Sequence, residues 1–143
     1  MKFEDLNWMQ VEDYLKKDDR IILVLGACEQ HGYLSLMTDV KIPMVLGEEA
    51  SRQTGVLLAP PLNFGCSPYF LTYPGTISLR LHTFLDVVED IFALFVRCGL
   101  SQYFDIKRTW RQYPRQNTPG GVAQPASRSE STLVCLVDDR HCC

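Results

Sequence analysis

The chain has 143 residues, is 46% apolar and carries a formal net charge of −3. That is enough apolar material for one domain with a real core, and it excludes a globally disordered chain. The acidic balance leaves no electrostatic footprint for nucleic acid, no apolar run reaches the roughly 20 residues a membrane span needs, and the start Met1-Lys2-Phe3-Glu4-Asp5 lacks a signal-peptide core, so a cytoplasmic protein is expected.

Trp8 to Lys17 has helical spacing, with Trp8, Val11 and Leu15 on one face. Arg20-Ile21-Ile22-Leu23-Val24-Leu25-Gly26 is a continuous apolar run rich in branched residues, which suits a strand buried on both faces of a parallel sheet. Ile42 to Gln53 reads as a helix stopped at Gly55, and Val56 to Ala59 as a short strand closed by Pro60-Pro61. A loop marked by Asn63, Gly65, Pro68, Pro74 and Gly75 follows. Leu81 to Arg97 is a strongly amphipathic helix whose stripe is Phe84, Leu85, Val88, Ile91, Phe92 and Phe95, and Gly99 ends it. Alternation of helix and strand predicts an α/β fold with a mostly parallel sheet flanked by helices.

Such a fold needs another apolar strand after Gly99, and Ser101-Gln102-Tyr103-Phe104-Asp105-Ile106-Lys107-Arg108 is a poor central one. Arg111 to Arg128 is rich in Arg, Gln, Pro, Gly and Ser and has no apolar period. Residues 1–99 carry 8 basic and 13 acidic side chains, whereas residues 100–143 carry 6 and 4. The division expected is therefore an evolved body over residues 1–99 and an atypical, disordered tail over residues 100–143, with no internal repeat. The six cysteines form no Cys-x-x-Cys pair, and Cys28, Cys66 and Cys98 read as reduced thiols rather than a zinc ribbon or a disulfide framework.

Chemistry concentrates just after the first strand. Glu29 and His31 are two apart, so in an extended segment their side chains face the same way. Gly32 lets the chain turn away, and Asp39 returns after a short loop. A carboxylate, an imidazole and a second carboxylate at the carboxyl end of a strand are the hard ligands a hydrolytic divalent metal requires. The bland reading is a surface Glu beside a hydrogen-bonded loop His. His82 opens a helix and reads as solvated or capping, and His141-Cys142-Cys143 as an unstructured chain end rather than a chelating cluster. Leu25-Gly26-Ala27-Cys28 lacks the glycine spacing of a phosphate loop, which ranks a nucleotide-binding domain last.

Three motifs in order, Gly26-Ala27-Cys28-Glu29-Gln30-His31-Gly32 with Thr38-Asp39, Pro61-Leu62-Asn63-Phe64-Gly65, and Tyr73-Pro74-Gly75-Thr76-Ile77-Ser78, resemble the creatininase family over about the first 100 residues. The resemblance implies a parallel α/β sandwich with two divalent ions, zinc or manganese, at the strand ends. Glu29 would bind one ion and His31 the other, with Asp39 bridging them. The ions would activate water and polarise the carbonyl of a small cyclic or linear amide, in a homo-oligomer once the fold is complete. Two departures stand out. Tyr33 alone occupies a place where the family usually has Pro-His, which leaves the substrate open. The family's next motif, Asn-Gly-His-Gly-Gly-Asn, is absent.

That motif is recoverable in another frame. Lys107 to Gln112 can be encoded AAA CGG ACA TGG CGG CAA, and one base later this reads Asn-Gly-His-Gly-Gly and opens a further Asn codon. Gln102 to Ile106, shifted alike, can read Asn-Ile-Leu-Ile-Leu, the apolar strand the fold needs. The expectation is a truncated, frame-shifted, metal-dependent amidohydrolase for C–N bonds, impaired or inactive in this chain. The alternative is a non-catalytic remnant or binding module of the same fold.

Overall fold

The computed structural model describes residues 1–107 and 134–135. The shifted Asn-Gly-His-Gly-Gly reading and the His141-Cys142-Cys143 cluster lie outside the described residues. A helix α1 (Trp8–Leu15) precedes strand β1 (Arg20–Leu25), helix α2 (Thr38–Thr54), strand β2 (Leu57–Leu58), helix α3 (Leu81–Arg97), strand β3 (Gln102–Lys107) and a short strand β4 (Val134–Cys135). The strands form one parallel sheet in the order β2-β1-β3-β4. This is the α/β architecture expected.

Strand β1 is the centre. Ile21, Leu23 and Leu25 face one core, with Tyr14, Leu57, Phe84, Val88 and Leu100. Ile22 and Val24 face the other, with Leu58 and Ile106, where Met44 and Ala50 of α2 close over them. Alternation along a single strand thus feeds two cores, α1 and α3 covering one and α2 the other. Strand β2 is brief because Pro60 and Pro61 have no N–H to give to the ladder. Pairing resumes beyond them, where the Leu62 N–H donates to the Val24 carbonyl at 2.9 Å and the Gly26 N–H to the Leu62 carbonyl at 2.9 Å.

Two expectations change. Trp8 is 73% exposed, and Tyr14 takes the inward position on α1 instead. The Tyr14 hydroxyl explains this: it donates to the Arg20 carbonyl at 2.6 Å and accepts from the Leu57 N–H at 3.2 Å, tying α1 to β1 and β2. The second change is β3. Gln102–Lys107, a poor strand by its side chains, pairs with β1 along its whole length. Backbone pairing covers the edge of β1 whatever the side chains are, and the apolar members find partners on both faces. Phe104 and Ile106 join the α2 core, while Tyr103 stacks on Phe92 with ring centroids 4.4 Å apart. The α3 stripe therefore has a partner surface, and the folded unit runs past Gly99 to Lys107.

Replacing Tyr14 by Phe keeps the ring and strands the buried Leu57 N–H. A loss of about 1–3 kcal/mol of stability is expected, read as a lower urea midpoint at unchanged slope; an unchanged midpoint would remove the bridge from this account.

Candidate metal centre

Parallel pairing brings the carboxyl ends of β1, β2 and β3 to one edge of the sheet, and the chain leaves β1 there into Gly26-Ala27-Cys28-Glu29. Tight turns close the following loop: the Leu34 N–H donates to the His31 carbonyl at 3.1 Å and the Thr38 N–H to the Ser35 carbonyl at 3.0 Å. Gly32 has φ +60, the left-handed region that the turn away from His31 requires. These turns start α2 at Thr38, four residues before the expected Ile42, so Asp39 sits in the first helical turn rather than in a loop. The positive end of the helix there favours a carboxylate.

Glu29 and Asp39 are 5% and 3% exposed. Glu29, His31 and Asp39 each offer a ligand atom, and these atoms lie within 4.8 Å of one another. The His31 Nδ1 is 3.0 Å from the Glu29 carbonyl, and its Nε2 is 3.1 Å from Asp39 Oδ1. A carbonyl only accepts, so Nδ1 carries a proton and donates. In the neutral ring Nε2 then presents a lone pair toward a carboxylate. A second ring proton, a carboxyl proton on Asp39 or a cation reconciles the two, and an Nδ1 anchored on a backbone carbonyl is the arrangement that leaves Nε2 for an ion at metal-ligating histidines. Oxygen, oxygen and imidazole nitrogen suit zinc or manganese. The residues present fit such an ion. Burial raises the pKa of Glu29 above its ordinary value, opposed by the neighbouring Ser67 hydroxyl and reinforced by Asp39.

The other two motifs build the wall behind this segment. The Cys28 carbonyl accepts from the Ile77 N–H at 2.9 Å, and Thr76 Oγ1 accepts from the Gln30 N–H at 3.2 Å. The Ser78 hydroxyl accepts from the Ser67 N–H at 2.7 Å, and the Gly65 carbonyl from the Leu79 N–H at 2.9 Å. Ser67, 3% exposed, is thereby held beside Glu29, near enough to favour its charged form though short of a well-formed hydrogen bond. In the sequence Ser67 had no place beyond lying between two motifs, and Ser78, the last residue of the third motif, had no role of its own. His82 is exposed at the start of α3, as expected. Cys28, Cys66 and Cys98 are free thiols.

The creatininase family model, described as creatinine amidohydrolase, matches residues 4–106. The chain belongs to the creatininase family. It is 28% identical over 99 residues to the 3-dehydro-scyllo-inosose hydrolase of Thermotoga maritima, covering 68% of this chain and 32% of that protein. It is 38% identical over 69 residues to the mycofactocin precursor peptide peptidase of Mycobacterium ulcerans, covering 41% of this chain and 28% of that one. A crystal structure of creatinine amidohydrolase superimposes with a TM-score of 0.70 at 26% identity, covering 74% of this chain and 44% of that one. Creatininase structures similar to this chain include a zinc–zinc form and a manganese form. The chain spans about a third of the length of the curated relatives it matches. Among the described residues no helix is long and apolar enough to cross a membrane.

Raising the Glu29 pKa by burial means the folded chain keeps that proton to higher pH than the unfolded chain does. The stability this supplies is full below the ordinary carboxylate pKa and is lost as pH rises through the raised one. Metal-free Glu29→Gln should melt higher than the parent at about pH 7, with the gap closing on acidification toward about pH 4. A gap that widens toward acid reverses the assignment.

Proposed function

We propose that this chain holds a divalent metal, zinc or manganese, through Glu29, His31 and Asp39, as the ligand-bearing part of an amidohydrolase for the C–N bond of a small cyclic or linear amide. One observation carries the reading: His31, its Nδ1 committed to a backbone carbonyl, turns Nε2 onto the buried Asp39 carboxylate with Glu29 within 4.8 Å. When bound, the metal supplies Lewis-acid polarisation of the amide carbonyl and a water made acidic enough to attack it. The protein's part is to fix the three donors, hold the His31 ring in one tautomer and keep Glu29 and Asp39 largely out of solvent. The free thiols fit a cytoplasmic setting, and the exposed Ile42, Val45 and Leu46 stripe on α2 fits self-association.

The reading extends to a chain impaired in turnover. Among the described residues the cluster offers three ligands, and β3 ends at Lys107, level with Leu25 at the metal edge. The shifted frame would place Asn-Gly-His-Gly-Gly at the point where the chain leaves that edge. It would also put Ile in place of Asp105, whose register partner Leu23 is 2% exposed. Both points hold for the codons given above and are compatible with a frame shift near Gly99.

Zn²⁺ or Mn²⁺ at about a hundredfold excess over its Kd should stabilise the chain by about 2.7 kcal/mol, and Asp39→Ala should abolish the effect. The absence of any metal-dependent shift in the parent chain would sink the ligand assignment. Turnover is expected to be very low with either metal on creatinine or on small peptide amides. A gene with the frame restored should gain activity; robust turnover by the 143-residue chain itself overturns the impairment.

A further inference from the structure

The Asp39 carboxylate reaches the cluster from a different element than Glu29 and His31, so something must fix α2 against the end of β1. Two residues outside the ligand set meet at the Asp39 peptide. The first is Gly26. It is not among the glycines with positive φ, so its backbone would accept any residue. Space is what forbids one: a Cβ at Gly26 would lie 2.5 Å from Val40 Cγ2, 2.9 Å from the Asp39 carbonyl oxygen and 3.2 Å from Val40 Cα. Two of those three atoms are backbone, which cannot swing aside. The missing side chain of Gly26 therefore sets how closely the first turn of α2 approaches β1.

The second is Pro43, buried inside α2. A proline within a helix has no N–H for the carbonyl four residues earlier, and its ring crowds that carbonyl. Four residues before Pro43 is Asp39. Pro43 thus takes the position whose N–H would otherwise face the Asp39 carbonyl, and its ring bears on the residue that carries the carboxylate.

We infer that Gly26 and Pro43 are positioning residues that together set where the Asp39 carboxylate stands relative to Glu29 and His31. Gly26 admits the first turn of α2 to the end of β1, and Pro43 constrains that turn through its ring against the Asp39 peptide. The inference rests on Glu29, His31 and Asp39 being the metal ligands.

Gly47 provides the control. A Cβ there would meet the Leu58 Cδ1 at 3.0 Å, the end of a flexible side chain, in the same helix but against the sheet rather than the cluster. Zinc affinity is measured on the full chain for Gly26→Ala, Pro43→Ala and Gly47→Ala, with melting curves confirming that each folds. Gly26→Ala and Pro43→Ala should bind zinc about 10–100-fold more weakly, the loss typical when a group orienting a ligand is removed. Gly47→Ala should stay close to the parent whatever its effect on melting. Visible absorption of the Co²⁺-loaded chain should change in the first two and not in the third. Should Gly26→Ala fail to fold, Gly26→Ala with Val40→Ala removes the side-chain clash and keeps the backbone one, and is compared with Val40→Ala alone. Zinc binding by the parent with equal affinity in Pro43→Ala and in either Gly26 variant overturns this inference alone. No zinc binding by the parent overturns the ligand assignment as well.

Discussion

Burial of β1 on both faces is the constraint from which the rest follows. A strand with no solvent face must alternate its side chains between two cores, and it must have pairing partners along both edges. β2 and β3 provide the edges; α2 covers one face, and α1 with α3 the other. Parallel pairing then gathers the carboxyl ends of the strands at one rim. Whatever leaves β1 is delivered to a place where several loops must meet, and the residues that leave it are Gly26-Ala27-Cys28-Glu29-Gln30-His31.

The rim is electrostatically uneasy. Two carboxylates, 5% and 3% exposed, share a small volume with one imidazole. Burying charge without full compensation is costly, and like charges add to the cost. The surroundings offset part of it: the amino end of α2 at Asp39, the Ser67 hydroxyl near Glu29, and the second nitrogen of His31 turned to Asp39. None of these supplies the two positive charges that a divalent ion would. The rim is therefore left short of positive charge, which is the character of a candidate cation site.

The similarity to creatininase structures ends where the described chain ends. The family model stops at residue 106, within β3, and the whole creatinine amidohydrolase chain is more than twice as long as its matched part. β3 closes the edge of β1 in spite of its composition, because the ladder is made by the backbone and Tyr103, Phe104 and Ile106 suffice to seat it. A strand can thus be topologically right and chemically poor.

Much was legible from residue order alone. The run Ile21 to Leu25 is apolar without alternation, short and rich in branched residues, which suits a doubly buried strand; Leu81–Arg97 repeats its apolar residues at helical spacing and forms a helix with those bounds. Glu29 and His31 could be paired because two residues in an extended segment face alike. Other features were not local. Tyr14 displaced Trp8 from the inner face of α1 because its hydroxyl finds a carbonyl on β1 and an N–H on β2. Asp39 entered a helix because the turns from His31 to Ser35 had already closed the chain. Ser67 reached Glu29 only through Ser78, eleven residues on. Sequence fixes what a segment can pair with and which way its side chains alternate, since both follow from the covalent geometry of the backbone. Which distant groups then share a few ångströms depends on how two elements approach, and at this rim that was decided by the space Gly26 leaves beside Asp39 and Val40.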